Sequence, residues 1–251
     1  MAKARPFAVS LLAAAVALSI SPASAVPGED WPQYAGGPRH LGVNPTEDAF
    51  SQANIDDLAL EWAGSYGANN AGESSPVVAN GIAYIVGYDA KLNAYDTAGC
   101  GSETCDPIWT GQMGNNVTGT PAVAKGVVYV GAANHRLFAF DAAGCGAPAC
   151  EPLWKGRTKG AVVSSSVAVA HGVAYVGTYG AANGGRLHAF DADGCGDALC
   201  DPLWSGIAAG HLVNSPAVNK ESVFIGSDNG TMYVFGADGC GKAHCAASWV
   251  A

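Results

Sequence analysis

The residues best suited to covalent or metal chemistry are eight cysteines, arranged in four pairs with the spacing C-x4-C. Zinc sites and reactive dithiols commonly use C-x2-C pairs beside further ligands or basic groups. Here the spacing is longer, each pair lies in a glycine-rich segment, and successive pairs are widely separated in the chain. We therefore predict one structural disulfide within each pair. The predicted bridges are Cys100–Cys105, Cys145–Cys150, Cys195–Cys200 and Cys240–Cys245.

Each cysteine pair belongs to a repeated unit that closes with a tryptophan. A unit contains a short apolar run, a turn such as Asn80-Gly81, a second and a third run, and then the tryptophan run. This order predicts four antiparallel strands, and a period of about 45 residues is typical of a β-propeller blade. We predict an all-β propeller with an N-terminal partial unit and four repeats. The partial unit covers 26–73, and the repeats cover 74–109, 119–154, 164–204 and 214–249.

The repeat pattern resembles that of pyrroloquinoline quinone (PQQ) enzymes and their non-catalytic relatives: S-P-x-V-x-x-G-x-x-Y-V-G, then L-x-A-x-D, then a turn and a tryptophan. The segments DWPQYAGGPRHLGVNP and NIDDLALEW are also similar to the N-terminus of quinoprotein dehydrogenases. The resemblance implies that the Trp31 segment pairs with the last blade and that Trp62 lies on an outer strand. Family propellers usually have seven or eight blades. Four repeats therefore leave open a four- or five-bladed ring, an open arc completed by a partner, or a truncated product.

Residues 1–25 have the pattern of a secretory signal peptide. Lys3 and Arg5 precede an apolar run from Phe7 to Ile20, which is too short to span a bilayer, and Ala23-Ser24-Ala25 follows as a small-residue cleavage site. We predict a signal peptide over 1–25, bacterial in character, and an exported domain over 26–251, secreted or periplasmic. We expect no membrane span. A net charge of −9 also argues against a nucleic-acid partner.

Propeller ligands commonly bind at the end of the blades where the chain crosses from one blade to the next. The predicted crossover segments carry amides, cations and a histidine that could bind a polar ligand or a peptide, or could be solvated turn residues. The candidate binding residues on this face are Asn69, Asn70, Asn115, Asn116, Arg157, Lys159 and His211.

Two hypotheses for function follow. The first is an exported, non-catalytic scaffold that binds an unknown protein or polymer through its loop face or a blade edge, with self-association if the ring is open. The second is a PQQ- and calcium-dependent quinoprotein oxidoreductase, similar to alcohol or sugar dehydrogenases, or a fragment of one. We favour the first and expect neither a catalytic site nor a cofactor, because the adjacent cysteines of many such enzymes are absent and the repeat tryptophans occupy structural outer-strand positions. Those tryptophans are Trp62, Trp109, Trp154, Trp204 and Trp249.

Overall fold

The computed structural model describes most of the chain after Glu29. The described residues are 30–45, 51–66, 74–87, 89–115, 117, 119–162, 164–180 and 184–251. The predicted signal peptide and the candidate residues Asn69, Asn70 and Asn116 lie outside them. Apart from two 3₁₀ helices, Tyr34–Gly36 and Ile55–Asp57, the regular structure of these residues is β. No helix in this part of the chain is long and apolar enough to cross a membrane.

The described strands follow one another in short segments. In chain order they are β1 (Ala63–Gly64), β2 (Val77–Ala79), β3 (Ile82–Val86), β4 (Lys91–Asp96), β5 (Thr104–Cys105), β6 (Trp109–Gln112), β7 (Ala122–Ala124), β8 (Val127–Ala132), β9 (Arg136–Asp141), β10 (Ala149–Cys150), β11 (Trp154–Arg157), β12 (Ala168–Ala170), β13 (Val173–Gly177), β14 (Arg186–Asp191), β15 (Leu199–Cys200), β16 (Trp204–Ile207), β17 (Ala217–Val218), β18 (Ser222–Gly226), β19 (Met232–Gly236), β20 (His244–Cys245) and β21 (Trp249–Val250).

Four antiparallel blades of the same design are built from these strands, as the repeat predicts. Blade 1 is β2-β3-β4-β6, blade 2 is β7-β8-β9-β11, blade 3 is β12-β13-β14-β16, and blade 4 is β17-β18-β19-β21, each written from its inner to its outer strand. Each outer strand begins at a repeat tryptophan. The fold is therefore an all-β, propeller-type array of four-stranded blades.

The turn between the first two strands of a blade is fixed by its residue types. In blade 2, Lys125 and Gly126 both have positive φ angles, of 49° and 77°. Two successive positive φ values define the tight hairpin turn that suits the right-handed twist of paired strands, and a glycine at the second position adopts it without steric cost. The turns at Asn80-Gly81 and His171-Gly172 share this geometry.

The core lies between the blades. Tyr129, at the centre of blade 2, is fully buried, and its hydroxyl donates a hydrogen bond of 2.8 Å to the carbonyl of Ala192 in blade 3. Tyr84 and Tyr175 make the equivalent bonds to the blades that follow them. Each of the first three blades is therefore joined to the next by a buried polar contact inside an apolar interface.

The array is an open arc in the part of the chain that the structure describes, because no strand pairing there links blade 4 to blade 1. Among the described residues, no strand pairs with the outer edge of β21, and Trp249 on it is 53% exposed. Trp109, Trp154 and Trp204 are buried by the blade that follows each of them. Trp249 thus occupies the predicted outer-strand position but is more exposed than those three tryptophans.

Candidate functional site

The N-terminal segment, residues 30–38, binds the inner strands of all four blades. Trp31 forms a two-way backbone bridge with Val78 of blade 1, and the carbonyl of Pro38 accepts a bond from the Val218 N–H of blade 4. The Trp31 segment therefore reaches the last blade, as the resemblance implies, but through Pro38, while Trp31 pairs with blade 1. The inner strand of each blade has backbone N–H groups that no strand of its own sheet accepts from. Residues 30–38 accept a hydrogen bond from one such N–H in each of the four blades.

Gln33 makes the central contact of this segment. Its side chain is buried, its Oε1 accepts a bond of 2.9 Å from the Val169 N–H, and its Nε2 donates to the Val169 carbonyl at 3.0 Å. In blade 2, the Val123 N–H donates to the carbonyl of Pro32. The segment thus crosses the blades on the side where a closed propeller would have its axis.

A cavity of about 450 Å³ opens beside this segment. Ser75, Thr120, Ser166 and Ser215 line it, one from each blade, and the backbone N–H of each of the first three donates to the hydroxyl of the next blade's residue. The cavity is completed by Tyr34, Ser164, Val213 and Asn214.

The described residues of this cavity do not fit PQQ with calcium. PQQ carries carboxylates that call for cationic partners, and calcium prefers carboxylate oxygens among protein ligands. The lining consists of hydroxyls, one amide and apolar groups, without a charged side chain among the described residues. The described residues also contain no group of three His, Cys, Asp or Glu side chains that could hold a metal ion.

The four predicted disulfides are present, and each closes a single loop between cysteines five residues apart. The second cysteine of each loop lies in a two-residue strand that pairs in parallel with the preceding outer strand. We call β5, β10, β15 and β20 the latch strands. Beside β10, the Pro148 carbonyl accepts a bond of 2.9 Å from the Thr110 N–H. The cysteine loops therefore hold blade junctions together, beyond closing their own turns.

At each blade junction, the backbone of a glycine lies against the indole ring of a repeat tryptophan. A Cβ placed on Gly144 would lie 2.7 Å from Cδ1 of Trp109, which is closer than real side-chain carbons approach each other. Gly99, Gly194 and Gly239 meet Trp62, Trp154 and Trp204 in the same way. The glycine before each cysteine loop is thus required for the tryptophan of the preceding outer strand to pack.

The cationic candidate residues have separate neighbours. Arg157 forms an ion pair of 3.2 Å with Asp201, and both side chains are largely exposed. The backbone N–H of Lys159 donates to Nε2 of His188, a buried residue of blade 3 that also bonds Ser205 through Nδ1. Burial, and secondly the positive charges of Arg186, Lys159 and His244, lower the pKa of His188 to about 3. His188 is therefore a neutral structural residue at neutral pH.

His211 lies on the crossover face, between blades 3 and 4. Its ring stacks on that of Tyr179 with a centroid distance of 3.7 Å, and its backbone N–H donates to Oδ1 of Asp228 at 2.9 Å. Asn115, on the crossover that follows blade 1, is exposed. That these residues bind a ligand stays a prediction.

Sequence reasoning missed Gln33 and Tyr179. Gln33 lies in a segment that resembles the N-terminus of quinoprotein dehydrogenases. Its partner, Val169, is 136 residues away in the chain, and no local sequence pattern indicates a contact of that kind. Tyr179 follows Thr178 in a glycine-rich turn, where a lone aromatic residue among small ones was the available signal. An exposed aromatic residue in a loop is more informative about binding than the amides around it.

Comparison with protein-family models shows which family the chain belongs to. The model described as outer membrane protein assembly factor BamB, in the PQQ_2 family, matches residues 51–193. The chain belongs to this family. No curated protein matches the sequence at a significant level.

Solved structures share the PQQ_2 propeller fold at low sequence identity. Quinohemoprotein alcohol dehydrogenase from Comamonas testosteroni superimposes with a TM-score of 0.70 at 21% identity, over 88% of this chain and 41% of that one. The enzyme ADHIIG from Pseudomonas putida HK5 gives 0.67 at 20%, over 90% and 40%. BamB from Moraxella catarrhalis gives 0.51 at 15%, over 70% and 47%. The chain thus spans less than half the length of each of these structures.

Proposed function

We propose that this protein is an exported, non-catalytic scaffold that binds a protein partner through the open edge of blade 4. The observation that carries the proposal is the cavity beside residues 30–38, because its described lining of hydroxyls and one amide does not fit the cofactor of the dehydrogenase relatives. The family description, an outer membrane assembly factor, supports a binding role, and four disulfides support export to an oxidising compartment.

The open edge has the features of a surface for strand addition. The outer strand of every earlier unit, including β1, is covered by a latch strand, whereas β21 has no such partner among the described residues. Trp249, Val250 and Met232 are all about half exposed beside this edge. An extended segment of a partner could pair with the edge and cover these apolar side chains.

Binding of PQQ and calcium is tested first, by equilibrium dialysis of the exported, disulfide-closed protein against both. We expect no stoichiometric uptake, measured by quinone absorbance and by native mass spectrometry. One quinone per chain would overturn the scaffold proposal in favour of a quinoprotein oxidoreductase.

The binding edge is tested by photo-crosslinking in cells that export the protein. A benzophenone amino acid replaces Trp249, and the matched control carries it at Leu153, which is similarly exposed but lies outside the free edge. We expect a discrete protein adduct from position 249 and none of that mass from position 153. No adduct from position 249, or the same adducts from both positions, would refute the role of the edge.

A further inference from the structure

Between blades 3 and 4, a cavity of about 580 Å³ opens on the crossover face, and none of its lining residues belongs to the set that we assign to the free edge of blade 4. Its described walls are Tyr179, Gly180 and Gly184 from the turn after β13, the crossover after β16 and the turn after β18. The residues that matter for its chemistry are Tyr179, His211, Asp228 and Asn229.

The first two walls are fixed to each other by backbone hydrogen bonds. The Gly185 N–H donates to the Gly210 carbonyl at 2.7 Å, and the Leu212 N–H donates to the Thr178 carbonyl at 3.1 Å. Tyr179 itself is held by a backbone bridge to Ala161 of the preceding crossover. The described walls of the cavity are thus preformed, as ligand sites usually are.

An aromatic platform lies at one side of the cavity. Among the described residues, His211 covers one face of the Tyr179 ring, with the two planes inclined by 17°, and about half of the Tyr179 side chain, 49%, stays exposed. Because the face of an aromatic ring carries partial negative charge, it attracts the weakly positive C–H groups of a flat, hydroxylated ring.

The polar groups around the platform offer both donors and acceptors. Nδ1 of His211 accepts a bond of 3.2 Å from the Gly180 N–H, which leaves the Nε2–H of the ring as a donor. Asp228 accepts from the His211 N–H through one oxygen and keeps the other. Asn229 accepts from the Thr231 N–H through its oxygen, which leaves its amide nitrogen as a donor.

A buried hydroxyl packs behind the wall of the cavity. Ser227 is 6% exposed, and its Oγ makes no hydrogen bond within the described residues. This oxygen lies so near Gly210, a residue of the cavity wall, that a Cβ there would clash with it. The hydroxyl is thus packed behind the Gly210 backbone, out of contact with solvent, and it supports the cavity wall without adding a ligand group.

We propose that this cavity binds a saccharide, with a sugar ring stacked on Tyr179. Sugar hydroxyls both donate and accept, which matches one carboxylate oxygen, one amide nitrogen and the imidazole Nε2–H. A cationic peptide side chain fits less well, since two of those three groups are donors that would face another donor. The proposal goes beyond the scaffold function and uses none of the residues of the blade 4 edge.

Co-sedimentation of the purified exported protein with three insoluble polysaccharides, namely peptidoglycan, chitin and cellulose, tests the proposal. We expect saturable retention on at least one of them. Tyr179→Ala should weaken retention at least tenfold, whereas Tyr179→Phe, which keeps the ring, should stay within about twofold. Thermal melting of both variants establishes that the fold is retained.

A second comparison separates a sugar from a cationic ligand. Asp228→Asn keeps an oxygen for the His211 N–H and removes the charge, so sugar binding should fall by less than about tenfold. The proposal is overturned if the wild-type protein is retained on none of the three polymers, or if a folded Tyr179→Ala variant is retained equally. It is also overturned if an arginine-rich peptide binds this cavity and Asp228→Asn abolishes that binding.

Discussion

Protonation of His188 should make the stability of this protein depend on pH in a way that a single substitution removes. His188 is fully buried, and its two ring nitrogens are engaged by the Lys159 N–H and by Ser205. Its pKa in the folded protein is about 3, against 6.5 for an ordinary histidine, chiefly because burial disfavours the charged ring. Between these two values the unfolded chain binds a proton that the folded chain does not.

The sign and size of the effect follow from this difference. Because the unfolded state binds more protons, the free energy of unfolding falls as the pH is lowered through 6.5 towards 3, and it is unaffected well above 6.5. At pH 5, which lies below the ordinary histidine pKa and above that of His188, the loss amounts to about 2 kcal/mol relative to pH 8. Below about pH 3 both states are protonated and no further loss occurs from this residue.

The matched control is His188→Phe, because Phe138 occupies the equivalent position of blade 2. The variant leaves the Lys159 N–H unpaired, which should lower stability by about 1–3 kcal/mol at every pH. The other titrating groups are common to both proteins. Urea unfolding, followed by tryptophan fluorescence, gives the free energy of unfolding at pH 8 and at pH 5. The decrease from pH 8 to pH 5 should be larger by about 2 kcal/mol in the wild-type protein, since only that protein has a histidine at position 188 that gains a proton on unfolding. Equal losses in the two proteins would refute the assignment of a neutral, buried His188.

Two further predictions concern the blade junctions. Trp154→Ala should lower the free energy of unfolding by about 3 kcal/mol through lost packing. Trp249→Ala, at the exposed edge, should lower it by less than about 1 kcal/mol. Similar shifts in the urea midpoint for both variants would contradict the open arc, in which the next blade covers Trp154 and leaves Trp249 exposed. Replacing Cys145 and Cys150 by serine should lower the free energy of unfolding by about 2 kcal/mol in the chain-entropy model. It should also raise the rate of amide hydrogen exchange at Thr110, whose N–H donates to Pro148, the residue before the latch strand β10. An unchanged rate there would show that the latch strand does not need its disulfide.

The repeat, the four strands of each blade and the four disulfides could be predicted from the sequence because each rests on local information. Turn residues, alternating apolar runs and paired cysteines recur at fixed offsets, so four copies of the signal reinforce each other. The parallel pairing of the latch strands could not be predicted, since Ala149 and its partner Thr110 lie in different repeats and no turn joins them. The path of residues 30–38 was missed for the same reason, because it depends on contacts with every blade.

The candidate site was harder to predict than the fold. Polar residues on the crossover face were identified as a class, but the sequence does not show which of them converge. Tyr179 and His211 are distant in the sequence and stack only because the turn of blade 3 and the crossover to blade 4 are held together by backbone bonds. Arg157 and Lys159, close neighbours in the chain, have unrelated partners. Nearness in sequence was therefore a poor guide to the site.

The breaks in the repeat carry information that the repeat itself does not. Tyr84, Tyr129 and Tyr175 each donate to the next blade, whereas the equivalent residue of blade 4 is Phe224, which has no hydroxyl to offer. The glycine two positions after each earlier repeat tryptophan, such as Gly156, leaves room for an aromatic ring of the following blade, and Ala251 replaces it after Trp249. Both changes occur on the face that no blade covers in the described structure. The two contacts that join the earlier blades, a tyrosine hydroxyl bond and a glycine–ring contact, are thus replaced on the outer face of blade 4, which agrees with the proposal that an extended partner segment binds there.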